Sequence, residues 1–225
     1  MPGKMIEFAA NGRTAPGYLS VPSAGGPGLI VVQEWWGLVD HIRDVADRFA
    51  AEGFVVLAPD LYHGDSTTSS DEAGHKLVGL DIAGVSAELR GAAQYLQAQP
   101  GVSGTKVAVV GFCMGGQLAM LGGCDHPDLI GPTVNFYGIH PKVTLEVERL
   151  EAPVLAHFAN RDDFTPPATA EALVQRIRDA GKDITAHFYD ARHAFLNDTR
   201  PEVYDAAAAQ LAWTRTLAFL REHAE

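Results

Sequence analysis

The sequence predicts an α/β fold: a mostly parallel central sheet with helices on both faces and an N-terminal antiparallel hairpin. Three observations carry the prediction. From residue 28 onward, short apolar runs alternate with amphipathic stretches, the rhythm of strand–helix units that build a parallel sheet. Several runs, such as "GLIVV" and "VAVVGF", are apolar almost throughout, as strands covered on both sides are. The opening "MIEFAANGRTAPGYLSVP" sets two β-prone runs around an Asn-Gly pair, a hairpin signal.

The elements follow in order. A glycine and proline cluster at 25–28 releases the chain into the strand "GLIVVQE". "VDHIRDVADRFAAEG" has Ile42, Val45, Ala46 and Phe49 at helical spacing and Gly53 as a stop. "FVVLAPDLY" is the next buried strand, and the polar, turn-rich residues 63–75 read as a loop. "LDIAGVSAELRGAAQYLQAQ" is a helix ended by Pro100 and Gly101. "KVAVVGF" is a strand, followed by the small-residue helix "MGGQLAMLGGC". "TVNFYG" and "APVLAHFA" are strands, and "PPATAEALVQRIRDAG" is a helix opened by prolines and closed by glycine. "ITAHFYD" and the long amphipathic "PEVYDAAAAQLAWTRTLAFLREH" complete a single domain over 1–225.

Composition excludes several functions. A net charge of −11 is unsuited to a nucleic-acid surface, which needs clustered Lys and Arg. No run approaches the roughly 18 apolar residues of a membrane span, and the N-terminus shows no secretory h-region. Two cysteines form no disulfide framework, so the reading is cytoplasmic. On one helix, Cys113 and Cys124 would stand about 16 Å apart, beyond disulfide reach. The nine histidines contain no H-E-x-x-H or paired-cysteine pattern, so no metal and no cofactor is expected.

In parallel sheets, chemistry gathers at the carboxyl ends of the strands. There Gly111-Phe112-Cys113-Met114-Gly115 has the small-x-nucleophile-x-small form of a nucleophile elbow, with cysteine in the usual serine place. The following helix N-terminus would favour the thiolate. Cys124 lacks that context and reads as core. Asp162 and His193 each follow a strand, and the order nucleophile, acid, histidine is that of α/β-hydrolases. An Asx-turn or helix cap is the plain alternative for Asp162, and a satisfied loop histidine for His193. Glu34 ends a buried strand, where a carboxylate needs a partner: the thiol, Arg43 or a helix end. The N–H groups of Trp35 and Met114 are the natural oxyanion-hole pair. Of the adjacent Trp35 and Trp36, at least one should line a pocket or meet a partner.

With these residues in place, the chain resembles the dienelactone hydrolase (carboxymethylenebutenolidase-like) family of α/β-hydrolases over nearly its whole length. The motifs are "VVQEWWG", "APDLYHG", "GFCMGG", "NFYG", "RDDFTPP" and "ARHAF". The resemblance implies a Cys113–His193–Asp162 triad. Glu34 would hold the resting thiol neutral and take its proton when substrate arrives. Attack on a small-molecule lactone or ester carbonyl would give a thioester acyl-enzyme, then hydrolysed by water. Trp36, Tyr137, Arg192 and Asn197 are the expected substrate-contacting residues, in a monomer or weak homodimer. The chain also departs from the family. Asn197 stands where a substrate-clamping arginine is usual, and residues 63–79 hold Lys76 and His75 but no arginine. Arg192 replaces the glycine usual before the histidine, and it or Lys76 could serve instead. A less charged ester or lactone suits these changes. Two other readings differ in class. A glutamine-amidotransferase-like or redox-chaperone-like protein would carry its histidine and acid close together, whereas Asp162 and His193 are 31 residues apart. A non-catalytic binding protein would not need Cys, Asp and His together.

Overall fold

The computed structural model describes residues 2–10 and 12–224. Eight strands form one sheet in the order β1-β2-β4-β3-β5-β6-β7-β8. They are β1 (Lys4–Ala10), β2 (Arg13–Ser20), β3 (Gly26–Val32), β4 (Val55–Pro59), β5 (Val102–Phe112), β6 (Ile130–Phe136), β7 (Val154–Arg161) and β8 (Ile184–Arg192). β1 and β2 pair antiparallel, β2 joins β4 antiparallel, and β4 through β8 run parallel by way of β3. The hairpin thus hangs on the edge of a six-stranded parallel sheet. Asn11 of its expected Asn-Gly turn lies outside the described residues.

The helices are α1 (Asp40–Ala51), α2 (Ser70–Gly79), α3 (Ile82–Gln97), α4 (Met114–Asp125), α5 (Pro167–Asp179) and α6 (Ala206–His223). They divide between the two faces, and successive strand residues follow them, as the period of two requires. Leu29 and Val31 of β3 share one core cluster with Ile42, Val45 and Phe49 of α1 and Leu220 of α6. Ile30 and Val32 share the other with Leu89 of α3, Leu118 of α4 and Ile177 of α5. No helix of the described residues is long and apolar enough to cross a membrane.

Residues 63–75 are not all loop, because α2 begins at Ser70. Ser69 caps it by accepting the Glu72 N–H, and the Thr67 hydroxyl donates to the Glu72 carboxylate. This S-x-x-E capping pattern was present in the sequence, but only Ala73 of α2 is buried, so no apolar stripe announced the helix. α6 begins later than its sequence run, at Ala206, where Asp205 accepts the Ala208 N–H. The sheet order also reverses direction between β3 and β5. That switch point is where open α/β sheets place their crevice, and here it brings Glu34 and Trp35 beside Cys113.

Candidate active site

The mount of Cys113 is dictated by close backbone approach. β5 ends at Phe112 and α4 starts at Met114, leaving Cys113 as N-cap with φ +53° and ψ −124°. A Cβ on Gly111 would run into the Gly115 carbonyl, and one on Gly115 into the carbonyls of Val32 and Gln33. The elbow therefore needs both glycines. The Cys113 N–H donates to Phe136 O at 3.0 Å and its carbonyl accepts from Gly116 N at 2.9 Å. So the strained residue is held by its neighbours, with the side chain left partly accessible at the cavity. Cys124 is fully buried in α4, and burial pushes its thiol up to about 12.

Asp162 lies just past β7 and His193 just past β8. His193 Nδ1 and Asp162 Oδ2 are 2.7 Å apart. Asp162 Oδ1 accepts the N–H groups of Phe164 and Thr165, each at 2.8 Å. The carboxylate is thus both an Asx-turn acceptor, its plain alternative, and the partner of the imidazole. Burial disfavours charge on His193, but the charge of Cys113 and the hydrogen bond to Asp162 outweigh it, and the ring is pushed up to about 10. With the thiol neutral, the largest of those raising influences is gone.

Glu34 is 1% exposed, and neither Arg43 nor a helix end satisfies it. Arg43 pairs with Asp40 at 3.1 Å. Glu34 Oε2 instead accepts from Asn197 Nδ2 at 3.0 Å, while Oε1 has no partner within the protein. Trp35 follows in the β3–α1 loop, and Met114 is the first residue of α4, where N–H groups have no acceptor within their own helix. Both residues line the cavity that Cys113 faces.

These residues face one cavity of about 920 Å³. Glu34, Trp35, Trp36, Cys113, Met114 and His193 all line it. The sequence reading missed Phe164, which is 65% exposed and lies between His193 (5.0 Å) and Trp35 (5.6 Å) by ring centroids. Its signal was an exposed aromatic two residues after Asp162. Of the expected substrate contacts, Trp36 and Arg192 line the cavity, whereas Tyr137 and Asn197 do not. Tyr137 is fully buried with φ +45°, its ring packed 5.1 Å from His193 and 5.3 Å from Phe195. Burial, then the charges of Glu34, Cys113 and Asp162, hold its hydroxyl protonated. Lys76 binds Asp65 and lies over the Tyr62 ring, away from the cavity lining. Arg161 and Arg200 reach the rim but are paired with Asp190 and Glu202. Among the described residues no cluster of three or more His, Cys, Asp or Glu could hold a metal ion.

A model of the dienelactone hydrolase family matches residues 15–224. "Protein usf" of Aquifex pyrophilus is 37% identical over 98% of this chain and 99% of its own. A protein of Aquifex aeolicus, provisionally named carboxymethylenebutenolidase, is 30% identical over 98% of this chain and 99% of its own. A solved structure from Klebsiella pneumoniae, provisionally named a dienelactone hydrolase, superposes with a TM-score of 0.86 at 29% identity, covering 96% of each chain.

Proposed function

Because the chain belongs to the dienelactone hydrolase family, we propose that it hydrolyses a lactone or carboxylic ester through a thioester on Cys113. His193 and Asp162 complete the triad. The observation that carries this reading is the 2.7 Å contact of His193 Nδ1 with Asp162, on a ring whose charge is favoured by the neighbouring thiolate.

The Cys113 sulfur attacks the carbonyl carbon, and the oxygen that gains charge is received by the Trp35 and Met114 N–H groups. Collapse expels the alkoxide, which takes its proton from Nε2 of the His193 imidazolium, the form the thiolate favours. His193 then takes a proton from water, and the hydroxide so formed releases the acid and frees the thiolate. Asp162 keeps the ring in the tautomer that leaves Nε2 free to exchange protons, and stabilises the imidazolium. Glu34 holds the thiol at rest, accepts its proton as the site fills and returns it to the thiolate once the acid has left. The substrate is of low charge, because two of the arginines at the rim, Arg161 and Arg200, are already paired with Asp190 and Glu202.

The test is turnover of a chromogenic short-chain ester and a panel of lactones, with trapping of the acyl-cysteine by mass spectrometry. Cys113→Ala and His193→Ala should abolish turnover. Wild-type rates in both variants would sink the proposal.

A further inference from the structure

Glu34 and Asn197 are 1% and 2% exposed and are joined by a hydrogen bond that spans 163 residues of chain. The other end of the amide fixes its orientation. Asn197 Oδ1 accepts from the Thr199 N–H at 3.2 Å and the Thr199 hydroxyl at 2.7 Å. A backbone N–H can only donate, so the oxygen must face Thr199 and the NH₂ must face Glu34. The Asn197 backbone is fixed too: its N–H donates to Ala194 O at 2.9 Å and its carbonyl accepts from Arg200 N at 3.2 Å.

Glu34 takes part in no ion pair among the described residues. Arg43 is engaged by Asp40. Arg200 pairs with Glu202 at 2.8 Å and lies 5.4 Å from the Trp36 ring centre. The other ionisable groups around the pair are Cys113, His193 with Asp162, the buried Tyr137 hydroxyl, and His41 beside Asp198 at 3.6 Å. Glu34 is therefore anchored through one oxygen by a neutral donor, while its other oxygen is unpartnered beside the thiol's cavity.

We infer that Asn197 is the positioning residue of Glu34: it fixes the carboxylate for proton exchange with the Cys113 thiol by a neutral hydrogen bond. This rests on the proposed role of Glu34. A carboxylate held by an amide gives up a weaker bond than one held by a guanidinium. Its proton exchange with the thiol thus needs no anionic group on the substrate to compete for a cation, and an uncharged ester or lactone suffices.

The test follows iodoacetamide alkylation of Cys113 across pH in the full chain; the buried Cys124 thiol reacts little. Wild type is compared with Asn197→Asp, and with Asn197→Asp combined with Glu34→Gln. The aspartate sets two carboxylates at hydrogen-bond distance, where they share a proton. The expected result is a displacement of the profile by about one pH unit, or about tenfold in rate at a fixed pH on its slope. That displacement should disappear when Glu34 is Gln. An unmoved profile overturns the role, and so does a displacement that survives Glu34→Gln. If Asn197→Asp does not fold, Thr199→Val loosens the amide from an exposed position and must displace the profile with the same dependence on Glu34; an unmoved profile again overturns it. Ester turnover is measured alongside. A displaced profile without turnover refutes the hydrolase reading but not the positioning, and turnover with an unmoved profile does the reverse.

Discussion

Replacing Asp162 by Asn separates its two duties. One oxygen accepts two backbone N–H groups at 2.8 Å, and the other faces His193 Nδ1 at 2.7 Å. In the variant, the retained oxygen goes to the backbone donors, since these can only donate. The NH₂ then faces the ring, Nδ1 must accept, and Nε2 becomes an N–H that cannot take a proton. This wrong tautomer costs about 10⁴-fold in kcat, or about 5 kcal/mol. The amide can escape by turning over, which restores the tautomer but leaves two buried N–H groups without acceptors, at about 1–3 kcal/mol each. The cheaper route sets the loss, so kcat should fall by about 10²–10⁴-fold. Because the unflipped amide keeps both backbone bonds, the melting temperature should stay close to wild type. Asp162→Ala, by contrast, should destabilise the fold by about 2–6 kcal/mol through those two donors. Initial rates on a chromogenic ester and thermal unfolding decide the matter. A folded Asp162→Asn protein within about threefold of wild-type turnover would refute the assigned duty of Asp162.

Further outcomes follow from the elbow and from the core. Cys113→Gly should be more stable than Cys113→Ala by about 1–3 kcal/mol, because only glycine relaxes at φ +53°; chemical denaturation checks this, and equal midpoints contradict it. In the same Cys113→Ala protein the His193 ring, freed of the thiolate, should titrate below its value of about 10, as nuclear magnetic resonance of the ring would reveal. His157 is fully buried between Tyr189 Oη (2.8 Å) and Thr216 Oγ1 (3.0 Å). Burial, then the charges of His187 and Arg215, keep it neutral well below the ordinary histidine range. The unfolded chain therefore binds the extra proton, and stability should drop by about 1.4 kcal/mol per pH unit as pH falls through about 6.5. His157→Gln should flatten that slope; parallel curves for the two proteins would exclude His157 as its source.

The parts of the fold that periodicity encodes were legible: the hairpin, the buried parallel strands and the helices with apolar stripes. The order of strands was not, because it depends on which edges pair and no local run reports that. α2 escaped for a related reason: nine of its ten residues keep some contact with solvent, so the capping residues were its only sign. In the site, Cys113, Asp162 and His193 could be picked out because each sits at a strand end beside residues that demand a turn. The partner of Glu34 could not. Three local or mechanistic partners were weighed, and the bond goes to an amide 163 residues away. Tyr137 is expected against substrate from its strand-end position, and Asn197 because it stands where the family has a substrate-clamping arginine. Both are buried and outside the cavity lining, which neither signal reports.

β8 closes the sheet and, among the described residues, pairs only with β7. Margins of a sheet are where a folded protein opens first, at a fraction of the free energy of global unfolding. His193 leaves the chain immediately after this strand, whereas Cys113 follows β5, which is flanked on both sides. Fraying of the margin would draw the imidazole away and leave the thiol seated on an intact elbow. Under the proposed role of His193, amide hydrogen exchange along 184–192 is thus a gauge of how often a folded molecule sits idle, disarmed rather than denatured.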